Sequence, residues 1–276
     1  MINPCKALNP AWPGLSIKES PTELELIISR DFDQPLALPE VAKIRINIKA
    51  HARVHIYASS SEVSLILEPE SQVNWYALSV AKLDLQASVA HNALLAITHI
   101  NLAHKQAQAT IKVDLKAPQA ELNFKALDQL SATQTSNINL SITHKEPYTK
   151  STQAFRGIYA GESMGYFRGS VTVAPHAHHS AAAQLYKSIL LSKHARAHVK
   201  PELEIHNFDI TASHGASIGQ LEQEALFYLR SRGLSLQAAQ KLLVQSLAQD
   251  ITQEIPELMR DYMSHEVELS LGALHA

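Results

Sequence analysis

The chain has 276 residues, with 24 Lys and Arg against 26 Asp and Glu, a formal charge of −2 with its 15 histidines neutral. That balance excludes a strongly basic nucleic-acid binder, and 46% hydrophobic against 18% charged residues fits a folded core better than a disordered chain. One cysteine, Cys5, excludes an intrachain disulfide framework and any cysteine-only metal site. No apolar run of signal-peptide or membrane-spanning length occurs, so the expected address is the cytoplasm, with neither nucleic acid nor membrane as partner.

Residues 1–40 read as a short N-terminal segment holding three prolines before Gly14. From there to residue 216 short segments alternate apolar and polar residues: Ile44/Ile46/Ile48, Val54/Ile56, Val63/Leu65/Leu67, Val73/Trp75, Leu83/Leu85, Ile111/Val113/Leu115, Leu122/Phe124 and Ile138/Leu140/Ile142. Period two means strand. Centres recur roughly every ten residues, and the region lacks the Asn-Gly and Asp-Gly pairs that tight hairpins favour. A parallel β-helix, two strands to a coil of about twenty residues, is therefore preferred to a β-sandwich.

Glycine is absent between Gly14 and Gly157, and no GxxxxGK[ST] occurs, so any nucleotide hydrolysis must come from a partner. Gly157, Gly161, Gly165 and Gly169 recur every fourth residue and predict a turn-rich connection. His176, His178 and His179 invite a metal reading, but no carboxylate or cysteine lies close in sequence to complete a shell, and exposed polar histidines are the better account. No triad order, HExxH or nucleophile elbow appears. Scattered carboxylates disfavour an enzyme, although a standalone β-helical carbohydrate-active enzyme stays the second reading, recognisable by a groove of clustered carboxylates.

The period changes in residues 217–276. Ser217 with Gln220 has capping-box spacing, and Ile218, Leu221, Ala225 and Leu229 make one helical stripe ending near Gly233. Ser235 caps a second helix with the stripe Leu236, Ala239, Leu243, Leu247, Ile251. A third starts near Pro256, with Leu258, Met259 and Tyr262 as its apolar positions. The bland expectation is that these helices cap the open end of the solenoid.

The stretch from Leu190 to Gly233 carries a resemblance. Leu190-Leu191-Ser192, Lys200-Pro201-Glu202-Leu203-Glu204-Ile205, Ser213-His214-Gly215-Ala216 and Leu226-Phe227-Tyr228-Leu229-Arg230-Ser231-Arg232-Gly233 resemble the core signature of the SufB/SufD family of iron–sulfur cluster assembly scaffolds, the SufD branch more closely. Phe155-Arg156-Gly157 and Phe167-Arg168-Gly169 extend it upstream. The resemblance implies a right-handed parallel β-helix with a helical C-terminus, a noncatalytic scaffold that pairs with SufB and binds the SufC ATPase. In that family the helical end receives the ATPase, which makes Leu221, Phe227, Tyr228, Arg230, Arg232, Leu243 and Leu247 the expected docking residues.

The resemblance also places His214 near the SufB interface, contributing to a nascent iron–sulfur cluster held there transiently; a neutral imidazole suits iron or a proton. No cofactor is expected on this chain alone. Many relatives carry cysteine where this chain has Ala212, so cluster thiolates would come from the partner. The family's N-terminal helical segment is expected to be missing or reduced, and the isolated chain is open to homodimer formation through the same edge.

Overall fold

The computed structural model describes residues 6–20, 23–39, 42–58, 61–102 and 104–273, leaving Cys5 outside. Short strands open the chain: β1 (Lys6–Ala7), β2 (Leu15–Glu19), β3 (Leu24–Ile28) and β4 (Leu36–Ala37). Next come β5 (Lys43–Ile48), β6 (Arg53–Ala58), β7 (Ser61–Leu67), β8 (Gln72–Leu78), β9 (Lys82–Val89), β10 (Leu94–Asn101) and β11 (Gln106–Leu115). The long strands are β12 (Glu121–Leu130), β13 (Thr135–His144), β14 (Lys150–Tyr159), β15 (Met164–Val173), β16 (Ser180–Leu190), β17 (Arg196–Ile205) and β18 (Ile210–Gly219). Helices α1 (Gln223–Ser231), α2 (Leu236–Thr252) and α3 (Glu257–Ala273) end the chain.

From β3 onward successive strands alternate between two sheets. One is ordered β1-β4-β6-β8-β10-β12-β14-β16-β18 and the other β17-β15-β13-β11-β9-β7-β5-β3-β2. Every pairing is parallel except β2 with β3. The fold is a mainly β parallel solenoid of about seven turns followed by three helices, not a sandwich of hairpins. A coil takes 72 − 53 = 19 residues between Arg53 and its partner Gln72, but 210 − 180 = 30 between Ser180 and Ile210. The expected twenty-residue coil holds only near the start.

The inward residues stack in columns because the register keeps equivalent positions one strand apart. In the odd-numbered sheet one column runs Leu26, Ile46, Leu65, Ala87, Val113, Ile142, Val171, Leu203. One corner is also a ladder. His51, Glu70, Asn92, Gln119, Tyr148 and His179 all hold positive φ, between 52° and 64°. Each donates its backbone N–H to a carbonyl of the next coil: Pro69, His91, Pro118, Pro147, His178 and Asp209 respectively. A small residue follows each, and Ala52, Ser71, Ala93, Ala120, Thr149 and Ser180 are buried. Non-glycine residues thus carry the tight corner, stabilised by a partner in the neighbouring coil, which is why so few glycines suffice.

Gly157, Gly165 and Gly169 lie inside strands, which corrects the turn reading; of the four spaced glycines Gly161 alone, at φ 66°, sits in a turn. A Cβ on Gly165 would stand 2.2 Å from Tyr159 Oη, and one on Gly169 2.0 Å from Tyr186 Oη. These glycines make room for two buried tyrosines. The two Phe-Arg-Gly triplets share this logic, each reading inward, outward, inward: Phe155 stacks on Phe167 with centroids 4.1 Å apart, Arg156 reaches Asp250 and Arg168 reaches Glu202.

Ser217 and Ile218 belong to β18, so α1 starts later than expected, with Glu222 at its N-cap; Leu226 is its buried residue. Gly233, at φ 95°, ends it. Ser235 caps α2 as expected, its Oγ accepting from Ala238 N at 3.2 Å. The helices do not plug the rod. Val244, Leu247, Ile251, Met259, Met263, Val267 and Leu271 pack along its flank against Tyr76, Ile100, Leu127, Ile158 and Ile189, one from each even strand from β8 to β16.

Candidate functional site

The two ends of the rod differ. At the first, antiparallel β2 closes one sheet, and Trp12 and Phe32 pack against the core. At the last, β17 and β18 each pair on one side only, with β15 and β16, and nothing among the described residues covers their outer edges. Unpaired strand edges are templates for another chain. Register places Ala197, Val199, Pro201, Leu203 and Ile205 of β17 in line with inward residues of β15, and Ile210, Ala212, His214, Ala216 and Ile218 in line with those of β16. The open mouth is therefore an apolar rim with one imidazole in it.

His214 is exposed, and its ring has no hydrogen-bonding partner among the described residues. Its column runs Ile56, Trp75, Ile97, Phe124, Gln153, Gln184, His214. Beneath the mouth the lumen turns polar. Gln184 donates Nε2 to Gly169 O at 3.1 Å and to Gln153 Oε1 at 3.3 Å, and Tyr186 Oη donates to the same Gln153 oxygen at 2.5 Å. Burial pushes the Tyr186 phenol far above its ordinary range, so it stays a donor.

A second polar group lies deeper. Asp128, fully buried, accepts from Asn101 Nδ2 at 2.8 Å, Tyr159 Oη at 2.8 Å and Ser136 Oγ. Loss of hydration raises its carboxyl above the usual range, while these donors pull the other way. His144, with Nδ1 2.8 Å from Thr149 Oγ1 and Nε2 2.8 Å from Ser151 Oγ, is held by burial at about 4.

The expected docking residues fall into three groups. Phe227 and Tyr228 are 75% and 58% exposed on α1, beside exposed Arg230 and with the Arg232 guanidinium 5.2 Å from the Tyr228 ring. Leu221 and Leu243 are half-buried and line a cleft of about 150 Å³ with Lys187, Glu222 and Asp250. Leu247 is 7% exposed: it packs against the rod and also belongs to the lining of the same cleft. The histidine run is dispersed, His176 to Glu146, His178 to Asn207 and His179 to Asp209. No cluster of three or more His, Cys, Asp or Glu spaced for a metal occurs among the described residues.

The buried polar side chains Gln153, Gln184, Asp128 and Tyr159 escape sequence reading. Their signal, polar residues at inward positions, exists only once register is known.

The architecture is a parallel solenoid with helices along its flank and an open, histidine-bearing mouth. The chain belongs to the SufBD family: the model of the SUF system FeS cluster assembly, SufBD core domain, matches residues 39–247. It is 34% identical over 157 residues to an iron–sulfur cluster assembly SufBD family protein of Synechocystis, covering 57% of this chain and 35% of that one. It is 32% identical over 114 residues to the iron–sulfur cluster assembly protein SufD of Escherichia coli, covering 41% and 27%. Protein ABCI7, chloroplastic, of Arabidopsis thaliana is 34% identical over 137 residues, covering 49% and 29%. The matched stretch spans about a third of these relatives' length. The chain is thus a SufD-like member of an iron–sulfur cluster assembly family.

Proposed function

We propose that this chain is a noncatalytic SufD-like scaffold subunit of a cytoplasmic complex. It pairs with a SufB-like scaffold through the open mouth and docks a SufC-like ATPase on the exposed face of α1. The observation that carries this is the mouth itself: two unpaired strand edges and an apolar rim around His214. Pairing there would satisfy the edges and bury the rim.

The iron–sulfur cluster is cargo in this reading, built at the seam with His214 offering a nitrogen lone pair and the sister supplying thiolates. Ala212 stands before the Ser213-His214-Gly215 triplet, so this chain brings none there. Three outer-face carboxylates are tied to cations of adjacent coils, Glu68 to Lys49, Asp114 to Lys145 and Glu202 to Arg168, each at 2.7 Å, which supports a scaffold over a carbohydrate-active enzyme.

Copurification with both partners tests the reading. Substituting Phe227→Asp with Tyr228→Ala should release the ATPase and leave the sister bound, while His214→Ala should keep both and lower the cluster formed. Undiminished ATPase retention refutes the α1 assignment, and normal cluster formation removes His214. A chain that forms only homodimers in the sister's presence refutes the pairing.

A further inference from the structure

Gln184 is 3% exposed, and its amide orientation is fixed by chemistry, since Gly169 O can only accept and so must face the nitrogen. Both partners of Nε2, Gly169 and Gln153, belong to the preceding coil. Oε1 is not engaged by either of them, and it is buried without a hydrogen bond. The residue of the last coil in register with Gln184 is His214. A buried acceptor and a partnerless imidazole thus stand one strand spacing apart, about 4.8 Å between backbones.

The rest of the polar column holds the amide in place. Gln153 Oε1 takes both Tyr186 Oη and Gln184 Nε2, and Gly169 leaves the space that this network fills. An unsatisfied acceptor there costs stability and needs an explanation, as does Gln153 Nε2, which is also buried without a partner.

We propose that Gln184 is the positioning residue for His214. Its Oε1 takes the N–H of the imidazole through a change of His214 rotamer, so that the other ring nitrogen faces out of the mouth with its lone pair free. This rests on the role proposed above for His214. A ring nitrogen becomes a committed ligand when its opposite N–H is engaged, which fixes both tautomer and ring plane.

The test uses the full chain, alone, labelled with ¹⁵N-histidine at a pH where imidazole is neutral. His214 is assigned by the signals lost in His214→Ala. The wild type should show one tautomer, and Gln184→Met should return His214 to the mixture of a free imidazole. A free-imidazole mixture in the wild type overturns the proposal, as does a Gln184→Met spectrum identical to wild type. Should Gln184→Met fail to fold, the wild-type spectrum still decides, a single tautomer supporting the proposal and a mixture overturning it. With the sister present, Gln184→Met should lower cluster formation by about tenfold. A tautomer change with normal cluster formation would leave the positioning intact and refute the role of His214 instead.

Discussion

One inward column changes character along the rod. Its early coils read Ile56, Trp75, Ile97, Phe124, and its late coils Gln153, Gln184, His214. The narrow coils, with strands of six to eight residues, keep this column apolar. The later strands reach ten and eleven residues and carry hydrogen-bonded networks inside. An apolar column would hold the coils together equally well, so a polar one points to a task beyond cohesion. It leads to the mouth, where the proposed chemistry lies.

The sharpest way to break this comparison is Phe124→Ala, at the boundary. Phe124 is 1% exposed and packs toward Phe167, 6.2 Å between centroids. Truncation should cost about 3–5 kcal/mol, read as a lowered denaturant midpoint. A loss under 1 kcal/mol would show that the apolar half does not hold the rod.

Acid should sharpen the comparison next, because the first coils hold one half-buried histidine, His55, whose pKa burial lowers, while His99 and His144 lie fully inside. Burial holds both near 4, below the ordinary 6.5. Between these values the unfolded chain binds more protons, so stability falls as pH drops from above 6.5 toward 4, by about 3 kcal/mol per histidine. Asp128 has the opposite sign, since its raised carboxyl takes up a proton more readily when folded, and it offsets part of the loss. Hydrogen exchange at pH 4.5 should show β10 to β14 opening before β3 to β7. Uniform opening would contradict the contrast.

The same contrast sets what was legible in the sequence. Strands through Ile142 announce themselves because their inward residues are aliphatic. β14 to β18 do not, since their inward positions hold Ser151, Gln153, Gly157, Gly165, Gly169, Gln184, Ser188 and His214, which erase the alternation that marks a strand. Family resemblance supplied His214 and the α1 aromatics. It gave no sign that Leu247 faces the rod, because a helix stripe does not say which surface it meets, and the flank rather than the open end proved to be that surface.

The smallest expected effect separates cohesion from task most finely. Gln153→Leu restores an apolar residue to the column and removes the acceptor of Tyr186 Oη, leaving Gln184 Nε2 with Gly169 O. The hydroxyl so stranded should cost about 1–3 kcal/mol. Adding Tyr186→Phe deletes that hydroxyl, and the double variant should regain most of the loss, because removing both partners of a buried bond is nearly neutral. Thermal melts of the four proteins give the coupling directly. If the double variant melts like wild type yet forms less cluster with its sister, the polar column serves the mouth and not the rod; if the losses simply add, the two side chains are not coupled and the network reading fails.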